Sequence, residues 1–165
     1  MRILETNRLY LKEFHISDAD KMFLLNSDPK VIQFTGDRAF NNLEETIELI
    51  QNYDHYKMYG FGRWSVFLKD TNKYIGWCGL KYTKEKDEFD IGFRFFKEQR
   101  NKGYATESAS ACLELGFTKF KMNKIIGRAM SANIGSIKVL EKIGLKFEKK
   151  FDFDGAEGVI YSIEK

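Results

Sequence analysis

The feature that most constrains the fold is a strand-like run that passes through a short glycine-bearing loop into a long helical pattern, over residues 90–117. The first amides of a helix have no partners inside the helix, and the helix dipole favours negative charge there. Gly103 permits unusual backbone dihedrals and a close approach of a ligand, while Arg100 and Lys102 add positive charge. The segment therefore predicts a docking site for an anion. An ordinary connection in which Gly103 only turns the chain explains the pattern equally well.

Two better-known phosphate loops do not match this segment. No second glycine follows Gly103 two residues later, so the dinucleotide fingerprint is missing. No Gly-Lys-Ser or Gly-Lys-Thr follows either, which argues against a nucleoside-triphosphate loop.

The residues of this loop resemble a known family. The run Arg100-Asn101-Lys102-Gly103-Tyr104-Ala105 is similar to the Arg/Gln-x-x-Gly-x-Gly/Ala signature of the GNAT superfamily of acetyltransferases. Further stretches resemble the family in the same order, namely residues 6–12 (its first strand), 90–93 (the strand before the loop), and 133–136 with 139–145 (the later coenzyme-binding helix). The resemblance covers nearly the whole chain and is closest to the branch that acetylates the N-termini of ribosomal proteins.

The resemblance implies that acetyl-coenzyme A is the cosubstrate and that no metal is needed. In the family the loop amides hold the pyrophosphate, and backbone amides of the preceding strand bind the pantetheine arm and polarise the carbonyl. The matching loop residues are Arg100, Asn101, Lys102, Gly103, Tyr104, Ala105 and Thr106, and the matching strand residues are Phe93, Arg94 and Phe95. Asn133 matches a residue that contacts the pantetheine arm, and a helix N-cap is its alternative role.

The sequence departs from the family at Leu140, where many members carry a tyrosine that protonates the departing thiolate. The N-terminal-acetylating branch has a serine one turn earlier, which matches Ser136, so Ser136 is the predicted acid. Its alternative is a hydroxyl bonded to the local backbone. Asp90 is a candidate base that could act through water, and Glu88 on the same strand face is the second candidate. A solvated carboxylate paired with Arg94 or a nearby lysine is the alternative for Asp90.

Hydrophobic periodicity and turn signals predict the element order β-α-α-β-β-β-α-β-α-β-β. The first strand is predicted over residues 8–14, the first helix from Ser17 to a stop before Pro29, and the second from Asn42 to about residue 58. The fold class is α+β, with a mixed, mostly antiparallel central sheet and helices on both faces, and it agrees with the GNAT fold.

Length and composition narrow the class of protein. A chain of 165 residues, 43% of them hydrophobic, is near the usual size of one domain, so residues 1–165 are expected to form a single domain. No apolar run is long enough to span a membrane, and charges interrupt the N-terminus where a signal segment would be apolar. Cys78 and Cys112 have no metal or redox spacing and are expected to be core thiols, which places the protein in the cytoplasm.

The leading hypothesis is an acetyl-coenzyme A-dependent N-acetyltransferase that acts on a protein N-terminal amine, such as that of a ribosomal protein. A polyamine, an amino acid or an aminoglycoside is the alternative acceptor, and residues 33–42 and 152–158 are the loops expected to select it. A coenzyme-binding sensor with little catalysis is a rival hypothesis, because Leu140 cannot donate a proton. The net charge of +3 is small and dispersed, which argues against a nucleic-acid partner. A homodimer is compatible with the sequence.

Overall fold

The computed structural model describes residues 1–165, and an eight-stranded sheet organises them. The strands are β1 Arg2–Glu5, β2 Leu9–Lys12, β3 Arg63–Leu68, β4 Tyr74–Thr83, β5 Glu88–Phe95, β6 Lys124–Met130, β7 Lys146–Phe153 and β8 Ala156–Glu164. Their order across the sheet is β1-β2-β3-β4-β5-β6-β8-β7. Every neighbouring pair is antiparallel except β5 with β6. The mixed, mostly antiparallel sheet predicted from the sequence is confirmed.

Helices cover both faces of the sheet. They are α1 Ala19–Ser27, α2 Pro29–Ile32, α3 Leu43–Gln51, α4 His55–Tyr59, α5 Tyr104–Thr118 and α6 Ile134–Lys142. Successive strand residues point to opposite faces, so each strand supplies two cores. Leu9 and Ile75 belong to the core that α5 covers, whereas Tyr10 and Tyr74 pack with Met22 of α1 on the other face. None of these helices combines the length and the hydropathy that a membrane span requires.

Both cysteines lie in the core beneath α5. Cys78 on β4 and Cys112 on α5 are free and fully buried, with their sulfur atoms 3.9 Å apart. The contact with Cys78, together with burial, raises the pKa of the Cys112 thiol. The prediction of two core thiols is confirmed.

The sheet is interrupted between β5 and β6. These parallel strands pair at one register position, Asp90 with Ile126. Beyond it, β5 continues to Phe95 with its other edge paired to β4. Backbone groups of Phe93, Arg94 and Phe95 that face β6 therefore have no ladder partner there, and a ligand can take that place.

Several predicted boundaries near the N-terminus are wrong. The strand predicted over residues 8–14 ends at Lys12, and the edge strand β1 was not predicted. Ser17 does not cap α1: its amide donates to Nδ1 of His15, and a 3₁₀ turn, Ile16–Asp18, precedes the helix. The first helix stops before Pro29 as predicted, but Pro29 begins a further short helix, α2, because proline is tolerated in the first turn of a helix.

The second predicted helix is divided in two. Its start is confirmed, since Oδ1 of Asn42 accepts the Glu45 amide at 3.1 Å. The chain leaves the helix at Asn52 and resumes as α4, which ends at Gly60 with a φ of 81°. The break allows Tyr53 and Tyr56 to reach β3, where the Tyr53 hydroxyl accepts the Arg63 amide at 2.8 Å.

Candidate active site

A groove of about 670 Å³ runs along the open edge of β5, between the first turns of α5 and α6. The loop before α5 contains two residues in the left-handed conformation, Asn101 with a φ of 61° and Gly103 with a φ of 83°. This geometry turns the chain so that Tyr104, Ala105 and Thr106 begin the helix and line the groove. Their amides are the ones that a helix leaves without internal partners. The groove thus ends on a cluster of backbone donors.

The lining of this groove carries only positive charge. Its ionisable residues are Lys30, Arg94, Arg100, Lys138 and Lys142, and no aspartate or glutamate lines it. At its edge, Lys97 lies so close to Lys30 that the pKa of its ammonium is lowered. A bound polyanion would relieve this repulsion between like charges. The residues therefore suit a ligand that carries several phosphate charges.

Arg8 holds the loop from the opposite side. Its guanidinium donates to the carbonyl of Lys102 at 2.9 Å and to Oε2 of Glu107 at 2.7 Å, and its backbone amide donates to Oε1 of Glu107 at 2.8 Å. It also lies over the ring of Tyr104, 4.5 Å from the ring centroid. Sequence reasoning missed this role, because Arg8 and Glu107 are 99 residues apart.

A second cavity, of about 890 Å³, opens on the other side of the interrupted sheet edge. The segment 33–42 and the β7–β8 hairpin roof it, and both contribute to its lining. They touch at Gly36, where a Cβ atom would come within 3.0 Å of the Phe153 ring and 2.9 Å of the Asp154 carboxylate. The two segments that the sequence proposed as selectors of the acceptor therefore meet above one cavity.

The floor of this cavity is an arginine that sequence reasoning did not single out. The Arg63 guanidinium pairs with the Asp90 carboxylate and donates to the Gly79 carbonyl at 2.7 Å. It lies directly over Gly92, where a Cβ atom would be 2.7 Å from the guanidinium carbon. The glycine in the run Asp90-Ile91-Gly92-Phe93 was the available signal, because a missing side chain in a strand often marks a close approach.

Both carboxylates predicted as bases are held by arginines. Asp90 pairs with Arg63 with both side chains mostly buried, and Glu88 pairs with Arg128 from β6. Arg94, the partner considered for Asp90, instead bonds Asn26 at 2.6 Å and Asp37 at 2.7 Å.

The two cavities meet at a small set of predicted residues. Phe93, Arg94, Asn133 and Ser136 line both cavities, while Phe95 lines the groove alone. Oδ1 of Asn133 accepts the Ser136 amide at 3.3 Å, so Asn133 is an N-cap of α6. Its Nδ2 donates to the Ser136 hydroxyl oxygen at 3.0 Å. The Ser136 proton is therefore free to be donated elsewhere.

Leu140 lines the second cavity but is almost entirely buried in the core. It is 2% exposed, and its side chain fills the space left by Gly127, where a Cβ atom would come within 2.6 Å of it. A larger side chain at this position would have to displace well-packed neighbours.

The arrangement joins an anion groove to a second cavity at a few polar atoms, and the fold around it is that of the GNAT acetyltransferases. The model of the acetyltransferase (GNAT) domain matches residues 8–146, and the chain belongs to this family. An uncharacterized N-acetyltransferase p20 from Bacillus licheniformis is 28% identical over 166 residues, covering 99% of this chain and 93% of that protein. A GNAT-family acetyltransferase from Bacillus anthracis has a crystal structure that superposes with a TM-score of 0.85 at 26% identity, covering 99% and 98% of the two chains.

More distant structures share the fold alone. The ribosomal L7/L12 α-N-protein acetyltransferase RimL, in complex with coenzyme A, superposes with a TM-score of 0.82 at 14% identity, covering 99% of this chain and 98% of that one. GNAT enzymes transfer an acetyl group from acetyl-coenzyme A to an amine acceptor, and acetyl transfer is accordingly the activity of this chain.

Proposed function

We propose that this chain transfers the acetyl group of acetyl-coenzyme A to an α-amine, namely the N-terminal amine of a peptide or protein such as a ribosomal protein. The observation that carries the choice of acceptor is the pairing of Asp90 with Arg63 and of Glu88 with Arg128. An α-amine has a pKa of about 7.7–8.0, so much of it is already neutral and it needs little help from a base. A lysine-like amine has a pKa of about 10.4 and needs a base to remove its proton.

The cationic groove is the proposed coenzyme site. The amides of Tyr104, Ala105 and Thr106 would receive the pyrophosphate, with Arg100, Asn101, Lys102 and Gly103 forming the loop that presents them. Lys30, Lys138 and Lys142 add charge along the groove and suit the remaining phosphate. When bound, the coenzyme supplies an acetyl group activated as a thioester.

The open edge of β5 is proposed to orient that thioester. Phe93, Arg94 and Phe95 have backbone groups facing the gap, and preorganised backbone donors stabilise negative charge that develops on a carbonyl oxygen. Asn133 is proposed both to cap α6 and to contact the pantetheine arm, since it lines the groove with its side chain bonded to Ser136.

Ser136 is the proposed proton donor to the departing sulfur. Its oxygen accepts from Asn133, so its hydroxyl proton is not used in that bond, and Ser136 lines both cavities. Asp90 and Glu88 remain candidates for removing the amine proton through water. Their arginine partners favour a supporting role, in which Asp90 fixes Arg63 at the cavity floor.

A panel of amines tests the proposal. At pH 7.5 roughly a third of an α-amine but only about 0.1% of a lysine-like amine is neutral, a difference of about 10²-fold. We therefore expect short peptides with free N-termini to be acetylated with higher kcat/KM than spermidine or aminoglycosides. Their rate should rise with pH and level off above about 8.

The outcomes of the panel separate the alternatives. Peptides blocked at the N-terminus but carrying lysine are the matched control and should not react. Acetylation of polyamines or aminoglycosides in preference to peptides would overturn the proposed acceptor. Binding of acetyl-coenzyme A without thiol release on any amine would favour a coenzyme sensor.

A further inference from the structure

The acceptor cavity, the roofed cavity of about 890 Å³, contains four arginines that are already neutralised. Arg38 pairs with Glu45 at 3.0 Å, Arg94 with Asp37 at 2.7 Å, and the pairs of Arg63 and Arg128 are described above. These ion pairs hold the arginines in the cavity walls in place, but they contribute little net charge that could attract a ligand.

The charges that remain unpaired are divided between two ends of the cavity. Lys81, Lys86, Asp152 and Asp154 line it, are exposed, and take part in none of the ion pairs of the protein. Lys81 on β4 lies opposite Asp90, and Lys86 belongs to the turn that precedes β5. Both lysines are thus at the start of β5, away from the coenzyme groove.

The aspartates lie at the opposite end. Arg94 is four residues beyond Asp90, which is about 13 Å along a strand. At the corresponding end of β6, Met130 pairs with Gly158, and the β7–β8 turn that carries Asp154 extends past that level. The contact of Asp154 with Gly36, next to the Asp37 partner of Arg94, brings this acidic end close to the junction of the two cavities.

We propose that the acceptor is an acidic peptide N-terminus, which lies along β5 with its amine at the aspartates and its acidic side chains at the lysines. The inference rests on the proposed function and narrows its substrate class. Amines reach the enzyme largely as ammonium ions, which Asp152 and Asp154 attract, whereas Lys81 and Lys86 attract carboxylates. An extended chain rises about 3.3 Å per residue, so the distance of about 13 Å from the level of Arg94 to that of Asp90 corresponds to about four steps, which lead to the fifth residue of the acceptor, with the third residue on the same face.

The dependence of kcat/KM on the charge of the acceptor can be measured with matched peptides. Hexapeptides that share an N-terminal alanine would carry aspartate, asparagine or lysine at the third and fifth positions, and kcat/KM would be measured at low and high ionic strength. We expect the acidic peptide to react fastest and the basic one slowest, by roughly two- to fivefold for each charge. The differences should shrink in high salt, because exposed charges are screened.

Charge reversal in the enzyme provides the second arm. In the double variant Lys81→Glu/Lys86→Glu the order of the peptides should invert, with the acidic peptide slowed roughly tenfold. Lys84→Glu is the matched control, since Lys84 belongs to the same turn as Lys86 but does not line the cavity. Asp152→Asn/Asp154→Asn should slow all three peptides alike, because each of them carries the same ammonium group.

The possible failures are distinct. Equal kcat/KM for the acidic, neutral and basic peptides, or an unchanged order in the lysine variant, would overturn the inference and leave acetylation of N-termini intact. A failure of every peptide, with acetylation of small amines, would instead overturn the proposed function.

Discussion

The side chain of Asn133 orients the Ser136 hydroxyl group through two hydrogen bonds. The Asn133 amide group donates to its oxygen and also accepts the Ser136 backbone amide, so both atoms of one side chain orient the serine. A serine that merely bonded to its own helix would have no proton left to give. Leu140 cannot take this role, since a hydrocarbon side chain has no proton to donate, and it packs against Gly127 instead.

Removing the hydroxyl should affect turnover more than binding. For Ser136→Ala we expect kcat to fall about 10- to 100-fold, at or below the low end of the range for general acids, because a free thiol titrates at about 8.5 and leaves readily. The KM for acetyl-coenzyme A should stay nearly unchanged. Steady-state kinetics under conditions where chemistry limits turnover measure both quantities.

Ser131→Ala is the matched control for this variant. Ser131 lies just after β6, bonds Glu157 and lines neither cavity, so its loss should leave kcat unchanged. A wild-type kcat for Ser136→Ala would contradict the role of Ser136 as proton donor and leave it only a structural role at the start of α6.

At the scale of elements, the coenzyme loop depends on a residue from the far end of the chain. Arg8 precedes β2 and bonds both the Lys102 carbonyl and the Glu107 side chain in the first turn of α5. Loop and helix therefore cannot move independently of the β1–β2 edge. Since the proposed pyrophosphate donors lie between these two contacts, their spacing depends on Arg8.

Removing the bonds that Arg8 makes to the loop and to α5 should lower the affinity for the coenzyme without changing the chemical step. For Arg8→Ala we expect the dissociation constant of coenzyme A to rise about tenfold, which corresponds to about 1.4 kcal/mol. Isothermal titration calorimetry gives this constant directly. Arg2→Ala is the control. It removes an exposed ion pair with Glu5 within β1, the neighbour of β2, and should bind coenzyme A like the wild type. Unchanged affinity in a folded Arg8→Ala variant would contradict the role of the link.

Elements with strong local signals could be predicted from the sequence, whereas those formed by distant contacts could not. Strand β6 and helix α6 follow α5 in the predicted order, because regular periodicity and the Asn133 cap specify them locally. Strand β1 has four residues and forms only by pairing with β2, so its sequence carries little signal of its own. The same limit applies to the site: the loop around Gly103 is local, but Arg63 meets Asp90 across 27 residues.

At the scale of the whole molecule, the interruption between β5 and β6 is the proposed place of reaction. On one side of it lies a groove lined by positive charge alone, and on the other a roofed cavity with charges of both signs. The cavities share six lining residues, namely Phe34, Thr35, Phe93, Arg94, Asn133 and Ser136. A molecule in one can therefore touch a molecule in the other only at this junction.

The order of events in turnover follows from that geometry. Cys78 and Cys112, the strongest nucleophiles among the side chains, are fully buried, so no thiol is available to carry the acetyl group between two separate half-reactions. We therefore expect both substrates to occupy the enzyme together, so that double-reciprocal plots at several fixed acceptor concentrations give intersecting lines. Parallel lines would mean a stored acetyl group and a route that bypasses the junction. The gap in the sheet thus predicts a kinetic order in which acetyl-coenzyme A and the acceptor both bind before either product is released.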